Sequence, residues 1–157
     1  MPAPVTVSIE VPQTVEQVYE FLDLMANHEP LNDHLMRDWS FSGPDRGVGP
    51  RARAHSRALG ISDVIDIEVI AAEAPTRIVE RNTAHKAGRV GQGTYTLSTS
   101  ASGSTLLTFE FRWVEVLMID RVTSPIARAH IRRSNATAMC RMAALLGAQP
   151  SDSIAAS

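Results

Sequence analysis

The stretch Ser104-Thr-Leu-Leu-Thr-Phe-Glu-Phe-Arg-Trp-Val-Glu-Val116, followed by a helical pattern from Ser124 to Gly147, decides the fold. Strand side chains alternate between two faces, so Leu107, Phe109, Phe111 and Trp113 share one of them. In the helix, Ala127, Ile131, Ala138, Met142 and Leu145 recur at the spacing of one helical face. An aromatic sheet face beside a helix face of small and flexible residues predicts a core that does not fill. That points to a binding cavity rather than a catalytic constellation. Ser124 and Pro125 read as the cap and first position of the helix.

Upstream, Val5, Val7, Ile9 and Val11 alternate with polar residues as a half-buried strand ending before Pro12. Thr14 caps a helix carrying Val15, Val18, Tyr19, Leu22 and Met25, with Gln17 at the capping-box position. A loop and short second helix follow over residues 28–35. Further strands are expected at 38–43, 51–59, 63–71, 77–83 and 93–100, with residues 85–91 as a glycine-containing connection. In an antiparallel pair, the face bearing Arg51, Arg53, His55 and Arg57 would meet Asp66 and Glu68. Each such charge pair adds roughly 0.2–1 kcal/mol. The opposite face then sets Ala52, Ala54 and Ala58 against Ile65, Ile67 and Val69, and the short alanines leave volume.

The chain has 157 residues, 44% of them apolar and 20% charged, which fits one domain, residues 1–148, with a disordered tail at 149–157. Its net charge of −2 and lack of a basic cluster argue against a nucleic-acid partner. Fourteen of the 15 basic residues are Arg, which with the abundant Ala reads as genomic composition rather than function. The single cysteine, Cys140, falls in the helix and reads as a small buried or half-buried hydrophobe. No leader pattern and no apolar run of about 18 residues are present, so membrane insertion is not expected and a cytoplasmic location is.

The order of elements, and several short motifs in it, resemble the Bet v 1-like or START-like superfamily (SRPBCC), which includes polyketide cyclase/dehydrase and lipid-transport families. Val7-Ser-Ile-Glu-Val-Pro12 with Val15-x-x-Val18-Tyr-x-x-Leu22 is similar to the family's opening strand and helix. Gly43-Pro-x-x-Gly47-Val-Gly49, Glu73-Ala-Pro-Thr-Arg77-Ile, Gly93-Thr-Tyr-Thr-Leu97 and Gly103-Ser-Thr-x-Leu107 resemble its later turns and last hairpin. Pro30-Leu-Asn-Asp33 stands where many members carry a tryptophan. The resemblance spans about residues 5–147. It implies an α+β helix-grip fold: a seven-stranded curved antiparallel sheet around a long C-terminal helix, two short helices after strand 1, and an apolar cavity.

Five histidines, His28, His34, His55, His85 and His130, show no metal-ligand spacing, so no metal and no cofactor are expected. His55 reads as part of the solvated basic face. His28, His34 and His85 read as loop residues at the surface, with His85 a weaker candidate for a cavity mouth. Asp63, Asp66 and Glu68 are candidate acid–base carboxylates, but an outer charged face explains the latter two better. Gly88-x-x-Gly91-x-Gly93 precedes a strand rather than a helix, which excludes a phosphate loop. Arg81 shares parity with Val79, expected to face inward, and Tyr95 with Leu97. The plainer reading puts Glu80, Arg81 and Asn82 on an exposed edge, since unpaired buried Arg is rare. Both Arg81 and Tyr95 remain ligand-binding candidates, and Ser134 and Asn135 are further polar groups for the cavity.

The expected ligand-binding set is Ala52, Ala54, Ile67, Arg81, Tyr95, Phe109, Phe111, Trp113, Ile131, Asn135 and Met142, with no catalytic residue assigned. The favoured function is carriage or sequestration of a hydrophobic small molecule such as a lipid, polyketide or isoprenoid. An aromatase/cyclase-type enzyme working in the same cavity, and a protein-interaction module, are the alternatives. A homodimer stays open as a further partner arrangement.

Overall fold

The alternating valines of β1 (Val5–Val11) pair antiparallel with β7 (Thr105–Glu115), joining the first and last strands of the chain. The computed structural model describes residues 2–115 and 120–148. After β1 come α1 (Val15–Asp23), a 3-10 turn (Met25–Asn27), α2 (His28–Asn32), β2 (Met36–Ser42) and β3 (Arg51–Ala58). Then come β4 (Ile61–Glu73), β5 (Arg77–Ala84), β6 (Arg89–Thr99), β7 and α3 (Asp120–Ala148). The seven strands form one antiparallel sheet in the order β1-β7-β6-β5-β4-β3-β2, and α3 packs on β1 and α2. This is the α+β helix-grip architecture, a curved sheet closed over a long terminal helix.

α1 starts where the sequence places it. The Thr14 hydroxyl accepts from the Gln17 amide, and the Gln17 side chain accepts from the Thr14 amide at 3.0 Å. These two bonds satisfy amide donors that a helix start leaves free. The helix stops at Asp23 rather than near Asn27, because Leu24 is extended and the chain re-enters as a 3-10 turn. Leu22, Leu31, Ile78, Leu107 and Met142 are all fully buried and fill the core around α1, α2 and the second half of α3. Each such side chain stabilises the fold by about 1.5–3 kcal/mol. The ion pair of Arg141 with Asp33 and the contact of His34 Nε2 with the Ser134 carbonyl at 3.2 Å tie the end of α2 to α3.

The β3–β4 pair has the expected phase. Arg51 faces Glu68 and Arg53 faces Asp66 across the ladder, while Ala52 and Ala54 face Ile67 and Ile65 inside. Arg51 pairs with Glu68 at 3.1 Å, and Arg53 grips Asp66 with two bonds of 2.6 and 2.8 Å. His85 reaches the same carboxylate at 2.6 Å, so it belongs to the outer face and not to a cavity mouth. Asp63 accepts backbone amides of Val64, Lys86 and Ala87 and so caps the β5–β6 turn.

Several boundaries differ from expectation. β6 begins at Arg89 rather than Gly93, so Gly91 is a strand residue and not part of a connection. Glycine reads locally as a turn signal, but in a strand it also marks close approach of a neighbouring group. α3 begins at Asp120, so Ser124 is not its cap and Pro125 lies inside it, without an amide to offer the preceding turn. Cys140 is exposed on α3 rather than buried. Val116 and the expected tail at 149–157 lie outside the described residues.

Two predictions follow from local geometry. Leu59 (φ 52°) and Gly60 (φ 79°) form the two-residue turn between Ala58 and Ile61. Such turns favour Asn at the first position, and a left-handed Leu costs roughly 1–2 kcal/mol. Leu59→Asn is expected to stabilise the protein by about 0.5–1 kcal/mol in urea unfolding; a loss of stability would contradict this turn. The Arg53 guanidinium, and then His85, hold the Asp66 carboxyl at about 2, below its ordinary 3.8. The folded-state pKa is the lower one, so the stabilisation is present above pH 3.8 and is lost as the pH falls toward 2. Asp66→Asn should lower the urea midpoint at pH 6, and the gap to wild type should close on acidification. A gap that is independent of pH would contradict the assignment.

Candidate functional site

Between the sheet and the middle of α3 lies a cavity of about 270 Å³, partly open to solvent. Its apolar sheet wall comes from Ile65, Ile67, Tyr95, Phe109, Phe111 and Trp113. The helix contributes Ala127, His130, Ile131, Ser134, Asn135, Ala138 and Met139. The division along α3 explains where the space lies. Met142 and Leu146 fill the core with long side chains, whereas the short side chains of Ala127, Ser134 and Ala138, one and more turns earlier, leave space beside them.

The aromatic wall depends on two glycines. A Cβ on Gly91 would stand 2.3 Å from the Phe111 ring, and one on Gly93 would stand 2.8 Å from the Phe109 ring and 3.0 Å from Glu80 Cγ. The rings of β7 therefore lie over bare backbone of β6. Phe109 meets Tyr95 with centroids 4.5 Å apart and ring planes tilted by 42°, and Phe111 meets Trp113 edge-on at 5.4 Å. Such aromatic pairs add about 0.5–1.5 kcal/mol each beyond their buried area.

The polar groups in this wall are few and specific. Ile78 pairs with Tyr95, Glu80 with Gly93 and Asn82 with Gly91, and cross-strand partners share a face. Glu80 and Asn82 thus point inward, where both line the cavity. Glu80 is only 5% exposed. Burial pushes its carboxyl above the ordinary carboxylate range, against smaller opposing effects of His28 and the Asn82 amide. His28 is buried as well, with its ring edge-on to Tyr95 at 5.9 Å. Its Nε2 sits 2.8 Å from the Leu22 carbonyl, and its Nδ1 is 3.6 Å from Glu80 Oε2. Burial, and then the Glu80 charge, push the Tyr95 phenol well up, so it stays protonated.

Of the expected ligand-binding residues, Ile67, Tyr95, Phe109, Phe111, Trp113, Ile131 and Asn135 come together on the cavity, and so does Ser134. Ala52, Ala54 and Met142 are buried but stand back from it. Arg81 is a correction. It pairs with Gln92 on the outer face and is exposed, because Val79 is buried on that face and Ile78 is the inward residue. Glu80, expected on an exposed edge, is the buried charge instead. His28 is a second correction, being a core residue rather than a surface one. His130 had a legible signal, since it lies three residues after Ala127 and four before Ser134 on the same helical face. The placement of Glu80 required the β5–β6 register, which local pattern does not supply.

A larger depression of about 560 Å³ lies among Arg51, Arg53, Asp66, Glu68 and Arg81. Exposed ion pairs line it, so it offers little apolar surface to a hydrophobic ligand. Among the described residues, no group of three potential ligands could hold a metal ion, and no helix is long and apolar enough to cross a membrane.

No protein-family model and no curated protein matches the sequence. Solved structures do share the fold. DynU16, from the dynemicin biosynthetic locus, aligns with a TM-score of 0.65 at 22% identity over 92% of this chain. The chain spans about half of DynU16, 47% of its length. KanY aligns with a TM-score of 0.73 at 11% identity, over 94% of this chain and 99% of that one. The ginseng major latex-like protein 151 from Panax ginseng aligns at 0.65 and 10%, over 91% and 96%. Sheet order, terminal helix and these likenesses together show that the chain has the Bet v 1-like fold.

Proposed function

We propose that the chain binds a hydrophobic small molecule in the cavity under α3. The observation that carries this reading is the unfilled volume itself. The volume is partly open, and much of its wall is apolar side chain that gives water few hydrogen bonds. An apolar occupant that displaces this water gains about 25 cal/mol for each Å² of apolar surface it covers. The volume lies just under the roughly 300–1,000 Å³ of sites for drug-sized ligands, which favours a compact occupant of one or two rings. A polyketide- or isoprenoid-derived molecule fits this better than a two-chain lipid.

A second reading is supported by Glu80 and His28. A buried carboxyl at the cavity wall, pushed up by burial, with an imidazole 3.6 Å behind it, supplies groups of the kind used in acid–base catalysis on a bound molecule. DynU16 comes from a biosynthetic locus, which accords with the cyclase-type alternative. An interaction module has no comparable feature in its support.

The binding reading is tested by fluorescence titration with 2-methoxynaphthalene, a two-ring probe. Gly91→Ala should push the Phe111 ring into the cavity, and overpacking of this kind is worth about 1–3 kcal/mol, so probe affinity should fall by about tenfold or more. His55→Ala, on the exposed outer face, should leave affinity within about twofold, as surface changes usually do. Absence of probe binding to the folded wild-type protein, or equal loss in both variants, would overturn the reading.

A further inference from the structure

The ladder between the first and last strands stops short of the end of β7. Its terminal pair is Val5 with Phe111, although β7 continues through residues 112–115. The residues before Val5 are Pro2, Ala3 and Pro4. A proline has no amide to give a ladder, and it restricts the backbone of the residue before it. The chain here lies off the sheet instead of lengthening β1, and two contacts show where it goes. Pro2 lines the cavity together with Trp113 of β7 and Ala127 of α3. The Pro4 carbonyl accepts a hydrogen bond from the Arg128 guanidinium at 3.4 Å. Residues 2–4 thus form a strap that runs from the edge of the sheet to α3 beside the cavity.

The strap is held more weakly than the walls it joins. From Val5 onward β1 pairs with β7 residue by residue, and Val5 is fully buried. The cavity residues of β5, β6 and β7 stand in continuous ladders. On the α2 side, the Leu35 carbonyl accepts from the Arg57 amide at 3.3 Å. Among the described residues, Pro2, Ala3 and Pro4 make no backbone–backbone hydrogen bond, and Ala3 and Pro4 are exposed. Their hydrogen bond to Arg128 is longer than an ordinary N–H···O bond. Segments with few buried contacts and few hydrogen bonds open at little cost.

We propose that the strap Pro2–Pro4 is a gate of the cavity, with Arg128 as its latch. It lifts from α3 to admit an occupant and closes again beside it. This inference rests on the binding reading of the cavity and adds the route by which the site fills. A gate slows association in proportion to the fraction of molecules in which it is closed. A wall residue that only touches the occupant changes dissociation and leaves association as it was. The association rate constant is therefore the quantity that separates the two roles.

The test is stopped-flow fluorescence with 2-methoxynaphthalene on wild type, on a variant lacking residues 2–4, and on Arg128→Met, which keeps the stem and removes the donor. An open state populated to about 10% or less in wild type makes association about tenfold or more faster once residues 2–4 are gone. Arg128→Met, which loses one hydrogen bond, should associate about two- to tenfold faster. If the variant lacking residues 2–4 does not fold, Arg128→Met decides. Association within about twofold of wild type in the deciding variant would overturn the gate and leave the cavity reading standing. Loss of probe binding by a folded variant lacking residues 2–4 would do the same, since the strap would then be part of the site. Faster association in that variant beside an unchanged Arg128→Met would overturn the latch assigned to Arg128. Absence of probe binding to the wild type would overturn both the gate and the cavity reading.

Discussion

Two absent side chains set the interior of this protein. Gly91 and Gly93 face inward from β6, and the Phe111 and Phe109 rings of β7 occupy the space their side chains would take. With the rings packed against backbone, the inner surface of the sheet becomes aromatic. The same gap at Gly93 admits the Glu80 side chain from the other neighbouring strand. A cavity wall, its aromatic lining and its one buried carboxyl thus all depend on one pair of glycines within a single strand.

The helix completes the enclosure by contrast along its length. Toward its C-terminal end Met142 and Leu146 seal the core, in one cluster with side chains of α1 and α2. From Ala127 to Ala138 it brings mostly small or polar residues to the cavity and leaves volume. Stability and binding are therefore separated along one element, which lets the binding end carry His130 and Asn135 with unpaired buried atoms while the other end holds the fold. The outer sheet face serves neither end. Its Arg53–Asp66–His85 cluster joins β3, β4 and the start of the β5–β6 turn.

Most of the fold was legible because period-2 and period-3.6 patterns survive in the sequence. β1, the β3–β4 charge ladder, the inward face of β7 and the capping box at Thr14 all read correctly from spacing alone. Of the residues expected at the site, Ile67, Tyr95, Phe109, Phe111, Trp113, Ile131 and Asn135 line the cavity, and so does Ser134. Glu80 and His28 were not legible. In β5 both Ile78 and Val79 are buried, so hydrophobicity does not choose the inward face, and choosing Val79 placed Arg81 inside and Glu80 outside. His28 looked like a loop residue because its burial depends on a carbonyl six residues earlier and a carboxylate on a distant strand. Gly91 read as part of a connection because the ring that occupies its space comes from the next strand.

The central claim is that the unfilled volume under α3, rather than any surface feature, is where this protein meets its ligand. Methyl-labelled protein titrated with 2-methoxynaphthalene and followed by two-dimensional NMR addresses it most directly. Ile65, Ile67, Ile131 and Met139 line the cavity, whereas Ile61 and Ile126 are exposed. The account predicts saturable shifts of the first four methyl groups with Ile61 and Ile126 unmoved. Shifts confined to Ile61 and Ile126, or none at any of the six, would contradict it.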